Sequence, residues 1–97
     1  MEELLQRLEK FKQDRNWQKY HTRPELARAI MIEGAELNRL FLWGEEWQST
    51  NANLEQNIKE ELADVLIFCL NMCIVTGIDP IEICNEKIDK NAAKYPA

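Results

Sequence analysis

LEQNIKEELADVLIFCLNMCIVTGIDPIE, running from Leu54 to Glu82, is the stretch that decides the fold. Its apolar residues Ile58, Leu62, Val65 and Cys69 recur three or four apart, the period of one helical face rather than the alternation of a strand. No Gly or Pro interrupts it before Gly77, a residue suited to ending a helix because it accepts the left-handed conformation. Asp79-Pro80-Ile81-Glu82 then restarts the chain: Asp at the cap, Pro at the first helical position, an acid in the first turn. The spacing predicts one helix from roughly Leu54 to Thr76 and another running to about Lys94.

The same period extends toward the N-terminus. A first helix is predicted roughly from Glu2 to Asn16, with Leu4, Leu8 and Phe11 on one stripe, followed by a connection over Trp17 to Arg23. Thr22, with Glu25 three residues on, reads as a capping box ahead of Pro24. The second helix then runs roughly from Arg23 to Trp43 around Leu26, Ile30, Leu37 and Phe41, and Gly44 is its stop. The polar residues of 44–53 make a loop. No segment alternates with period two. The expected fold is all-α, a four-helix bundle-type protomer in a single domain over residues 1–97. So short a chain buries a modest core, which favours assembly into a homo-oligomer.

Composition narrows the function classes. The net charge of −5 and pI of about 4.9 argue against a nucleic-acid polymer as partner, since gripping that backbone needs clustered Lys and Arg. Small anionic substrates stay open, because a divalent cation can reverse the local charge. The N-terminus opens an amphipathic stretch rather than an apolar signal core. The most apolar run, Val65 to Val75, contains Asn71 and is too short to span a bilayer, so no membrane partner is expected. The three Cys have no disulfide-framework spacing, and the cytoplasm is the expected compartment.

Acidic pairs three apart occur at Glu33/Glu36, Glu61/Asp64, Asp79/Glu82 and Glu86/Asp89. The helical wheel separates them. Glu33 falls in the sector of Leu26, Ile30 and Leu37, and Glu36 lies on its flank. Glu61 sits on the edge of the Ile58–Cys69 stripe, and Asp64 lies just outside it. Asp79/Glu82 is explained by capping, and Glu86/Asp89 faces away from Ile81, Cys84 and Ile88. Carboxylates aimed at a core need a partner. Pairing with Lys or Arg, or hydration at a helix edge, would be ordinary explanations, but Arg28, Arg39 and Lys59 lie off the relevant stripes. Oxygen donors converging from two helices suit Mg²⁺ or Mn²⁺. A zinc site would need Cys69, Cys73, Cys84 and His21 together, and buried free thiols are the better reading.

The arrangement Glu33-Gly34-Ala35-Glu36, a spacer, then Glu61-Leu62-Ala63-Asp64 resembles the signature of the MazG-like, all-α nucleotide pyrophosphohydrolases. The likeness extends over about residues 11–97 and is closest to the small dCTP-pyrophosphatase branch. Asp14 to His21, Leu40-Phe41-Leu42-Trp43, Glu60 to Ile67, Lys87 to Asn91 and Lys94-Tyr95-Pro96 all look like that branch's blocks. Two positions depart from the pattern: Ile32 precedes Glu33 where the family often has Glu, and the last block carries Lys where Arg is frequent.

The resemblance implies that Glu33, Glu36, Glu61 and Asp64 hold Mg²⁺ (or Mn²⁺) and form the catalytic set. A nucleoside triphosphate, dCTP-like by preference, would be cleaved to monophosphate and pyrophosphate, in house-cleaning of nucleotide pools. Glu36 is the candidate for orienting or deprotonating the attacking water. Lys87, Asn91 and Lys94 are candidates for the phosphates, although on spacing alone they equally describe a solvated basic face near a helix end. Trp17, His21, Trp43, Phe68 and Tyr95 are candidates for the base, although aromatic residues at such positions also serve as core. By the same resemblance the assembly is a homotetramer, a dimer of dimers, with pockets completed by a neighbour. The competing class is a catalytically silent helical dimerisation or nucleotide-binding module, which explains the apolar stripes but not the inward acids.

Overall fold

The computed structural model describes residues 1–42 and 53–97. In chain order these form α1 (Glu2–Asp14), a 3₁₀ turn (Gln18–Tyr20), α2 (Arg23–Arg39), α3 (Leu54–Thr76) and α4 (Pro80–Lys94). Among the described residues there is no strand. The expected stop at Gly44, the loop over 44–53 and Trp43 fall outside the described residues, apart from Asn53, which precedes α3.

Local chemistry sets the ends of these helices. α1 stops two residues short of the predicted Asn16. The Lys12 carbonyl accepts from Arg15 N–H at 3.2 Å and from Trp17 N–H at 2.9 Å, and Asn16 turns to φ 55°. Asn tolerates that left-handed conformation better than most residues. At α2, the Thr22 hydroxyl accepts from Glu25 N–H at 3.4 Å, but the Glu25 carboxylate pairs with Arg28 at 3.0 Å. The cap is therefore one-sided rather than the reciprocal box expected. The end of α2 tightens into i→i+3 bonds through Leu42, so the regular helix is shorter than predicted. Gly77 ends α3 at φ 76°, and the Cys73 carbonyl accepts from the N–H groups of both Gly77 and Ile78. Asp79 then caps α4, accepting from Ile81 N–H at 2.9 Å.

α3 is the central element. α2 packs along it and α1 lies against it. Among the described residues the buried apolar side chains of the core are few: Leu26 of α2, fully buried at 1 % exposure, with Leu70 and Cys73 of α3. Two polar side chains are buried with them, Lys12 and Asn71. The stripe predicted for α3 is shallower than expected. Ile58, Val65 and Cys69 are half-buried and Leu62 is exposed.

α4 leaves α3 at 100° and, among the described residues, packs extensively on no other helix. Its apolar stripe is open, with Ile81 51 % and Ile88 62 % exposed. The radius of gyration is 16.3 Å, against about 13 Å for a compact domain of this length. Among the described residues no single helix is long and apolar enough to cross a membrane.

Candidate functional site

The face of α3 turned toward α2 and α1 carries two features in succession. At its N-terminal half, Glu61 and Asp64 meet Glu33 from α2, and one carboxylate oxygen of each lies within 4.8 Å of the other two. Glu33 and Glu61 are half-buried and Asp64 is exposed. Among the described residues none of the three forms an ion pair, and Arg28 of α2 is engaged by Glu25. Burial, and then the charges of Asp64, Glu61 and Glu36, push the Glu33 carboxyl above its usual range. Three acids that crowd one another without a counter-cation form a donor set that fits a hard divalent cation.

Glu36 is the exception within the expected four. It is exposed and stands outside the triplet, although close enough for its charge to bear on Glu33. The thiols give no second centre. Cys73 is buried, Cys69 half-buried and Cys84 exposed, all free. Burial, then the neighbouring Cys69, Cys84 and Asp79, raise the Cys73 thiol. No Cys joins a metal-holding group among the described residues.

One turn beyond Asp64, Phe68 enters a cavity of about 380 Å³ between α1, α3 and the connection. Trp17 and His21 line it with Phe68, as do Lys12 and Asn71. The His21 and Phe68 rings are tilted, 6.3 Å between centroids, and Trp17 stands edge-on to Phe11 at 5.6 Å. The bond from Trp17 N–H to the Lys12 carbonyl ties this wall to the end of α1. Burial, then the Lys12 charge, lower His21 below its usual pKa, so its ring is neutral at pH 7. At about 100° and 1.5 Å per residue, Glu61, Asp64, Phe68 and Asn71 share one sector of α3 about 80° wide. The acidic cluster and the aromatic pocket therefore lie in line, with Phe68 about 6 Å along the axis from Asp64.

The profile of the MazG-like family matches residues 28–97, which includes both acidic pairs. The chain belongs to the MazG-like family. The MazG-like chain is 30 % identical over 102 residues to human dCTP pyrophosphatase 1 and 27 % identical over 100 residues to the mouse protein of that name. It aligns over 100 % and 99 % of its own length respectively, but spans only 59 % of either relative. A crystal structure of a pyrophosphatase from Archaeoglobus fulgidus superposes with a TM-score of 0.92 at 44 % identity, covering 100 % of this chain and 93 % of that one.

In the MazG-like chain the remaining candidates stand apart from the acids. Lys87, Asn91, Lys94 and Tyr95 are exposed at and beyond α4, and the Lys94 ammonium lies 5.3 Å over the Tyr95 ring. Because α4 leaves the bundle, a single chain does not gather them with the pocket. Lys12 and Asn71 are pocket residues that the pattern reading passed over. Lys12 follows Leu8 by four residues on α1, and Asn71 follows Phe68 by three on α3. Both offsets put them on inward faces, a signal obscured by their polarity.

Proposed function

We propose that the chain hydrolyses nucleoside triphosphates, dCTP-like deoxynucleotides by preference, to monophosphate and pyrophosphate with Mg²⁺ or Mn²⁺, clearing unwanted nucleotides in the cytoplasm. The observation that carries this reading is the convergence of Glu33, Glu61 and Asp64, with no basic partner among the described residues, in line with an aromatic cavity on the same helix face. The names of the dCTP pyrophosphatases and of the archaeal pyrophosphatase support the chemistry.

When bound, the divalent cation supplies charge neutralisation at the phosphates and acidifies water. Glu33, Glu61 and Asp64 would hold it from two helices. Glu36, exposed beside Glu33, is the carboxylate left to orient the attacking water and accept its proton. Trp17, Phe68 and His21 position the base, with Trp43 and Tyr95 the further candidates. Lys87, Asn91 and Lys94 take the phosphates. The water attacks the α-phosphorus and pyrophosphate leaves, a reaction that asks chiefly for positioning and charge.

The proposal includes a homotetramer, arranged as a dimer of dimers, and the open α4 supports assembly with a neighbour. Its uncovered isoleucines and the extended radius of gyration call for a neighbour, and that neighbour's α4 would bring Lys87 and Asn91 to this pocket. A monomer by light scattering at micromolar concentration would refute it.

The test of function is pyrophosphate release from a panel of dNTPs and NTPs, with and without Mg²⁺, alongside Glu61→Gln. Mg²⁺-dependent release lost in Glu61→Gln is the expected result. An intact fold that turns over no nucleotide with Mg²⁺ present would favour a binding or dimerisation module instead.

A further inference from the structure

The aromatic cavity has a polar floor that the acidic centre does not use. Asn71 is 3 % exposed, and its buried Oδ1 has no hydrogen-bond partner. The buried Nδ1 of His21 also has none. Lys12, 4 % exposed, forms no ion pair with any described residue. It lines this cavity and a smaller one of about 160 Å³ on its other side. The three groups come from three elements: α1, the connection and α3. The rest of the wall is largely apolar, with Leu4, Leu8, Phe11 and Ile67. Buried polar atoms are normally paired, so unpaired ones converging on a cavity mark a place where something else completes the bonds.

We propose that Lys12 and Asn71 are specificity-determining residues that read the hydrogen-bonding edge of the nucleobase, selecting bases with a ring carbonyl over adenine. This rests on the reading of the cavity as the base pocket. The donor and acceptor inventory gives the direction. The Lys12 ammonium can only donate, while the Asn71 side chain both accepts and donates. Cytosine, uracil and guanine each offer a carbonyl oxygen to the ammonium and an N–H to the amide oxygen. Adenine has no oxygen on its edge. It would set an amine beside the ammonium and leave the cation without its best acceptor. A site built to hydrogen-bond a group rejects the analogue lacking it, because the site's own buried groups are then stranded.

Burial disfavours the Lys12 ammonium and Glu9 favours it, so a carbonyl oxygen seated beside Lys12 would add to what holds the charged form. The volume agrees with this assignment, since about 380 Å³ lies within the usual range for ligand pockets. Asn71 shares its helix sector with Asp64, so a base seated on the floor has its phosphates directed along α3 toward the acids.

The test is calorimetric titration of the whole chain with dCMP, dUMP, dGMP and dAMP in the absence of metal, which separates base reading from catalysis. Wild type is expected to bind the three carbonyl-bearing nucleotides about tenfold or more tighter than dAMP. Lys12→Met keeps the volume and removes the charge. It should weaken those three about ten- to hundredfold and leave dAMP unchanged. Asn71→Leu should act in the same direction and serves as the independent variant if Lys12→Met fails to fold. An unchanged ranking in the folded variants, equal weakening of all four nucleotides, or a wild type that binds none of them would overturn the proposal. Failure of the hydrolytic reading looks different: the monophosphates would bind with the expected ranking while no triphosphate is turned over.

Discussion

Glu33→Gln should stabilise the metal-free protein and at the same time abolish its response to Mg²⁺. Glu33, Glu61 and Asp64 bring carboxylate oxygens within 4.8 Å of one another. At that separation two unit charges repel by about 0.9 kcal/mol in bulk water and about 3.5 kcal/mol at an effective dielectric of 20. Glu33 is only half-buried and Asp64 is exposed, so solvent screening puts the interaction near the lower figure. Removing Glu33's charge relieves repulsion from both neighbours and is worth about 1–2 kcal/mol. For a domain of this size each kcal/mol moves Tm by about 4–8 °C, so Tm in EDTA should rise by roughly 4–16 °C. Wild type with Mg²⁺ at a hundred times its Kd should gain about 2.7 kcal/mol, and the variant much less. Differential scanning calorimetry at one fixed chain concentration reads both effects. A variant that melts below wild type in EDTA, or keeps the full Mg²⁺ shift, would refute the argument that these acids form a self-repelling cation site.

The same group sets a pH dependence. Glu33's folded pKa is raised above 4.5, so its contribution to metal-free stability is fully present below that value and is lost as pH rises through the folded pKa. Thermal melts in EDTA should therefore show this contribution falling as pH rises through that window, and Glu33→Gln should remove it. Leu26→Ala empties the most completely buried apolar site and should cost about 2–5 kcal/mol, measured by denaturant unfolding. Ile88→Glu, on the open stripe of α4, should lower the mass seen by light scattering while leaving the α-helical circular dichroism of the chain largely intact.

Much of the fold was legible because local signals agreed. Gly77 and the Asp79-Pro80 pair fixed both sides of the α3–α4 corner from chemistry that acts over a few residues. Glu33 and Glu61 were legible for the opposite reason: polar groups on or at the edge of an apolar face are conspicuous on a wheel, whereas Asp64, just outside the stripe, was marked by its i+3 spacing from Glu61. The wheel failed where burial depends on tertiary packing. It ranked Leu62 as core and gave no weight to Asn71, yet α3 turns Leu70, Asn71 and Cys73 inward. Which arc of a mostly apolar helix is deepest depends on where α1 and α2 lie against it, and periodicity carries no such information. Lys12 escaped for a related reason, since a long basic side chain at a stripe's edge usually reaches water. The α4 stripe of Ile81, Cys84 and Ile88 was correctly periodic, but a stripe does not say whether its cover comes from the same chain.

The 100° corner after α3 has a consequence for how the molecule acquires its order. A helix of fifteen residues is marginal in water without a packed face. The Asp79 cap and Pro80 steady its first turn, but among the described residues no other helix packs extensively against it. In the proposed assembly the α1–α3 unit would gain its packing within one chain, whereas α4 would complete its folding on encounter with a second copy. Amide exchange along α4 should then slow as chain concentration rises, while exchange at the buried turn around Leu70 and Cys73 stays slow throughout, which makes folding of the last helix and recognition of a neighbour a single event.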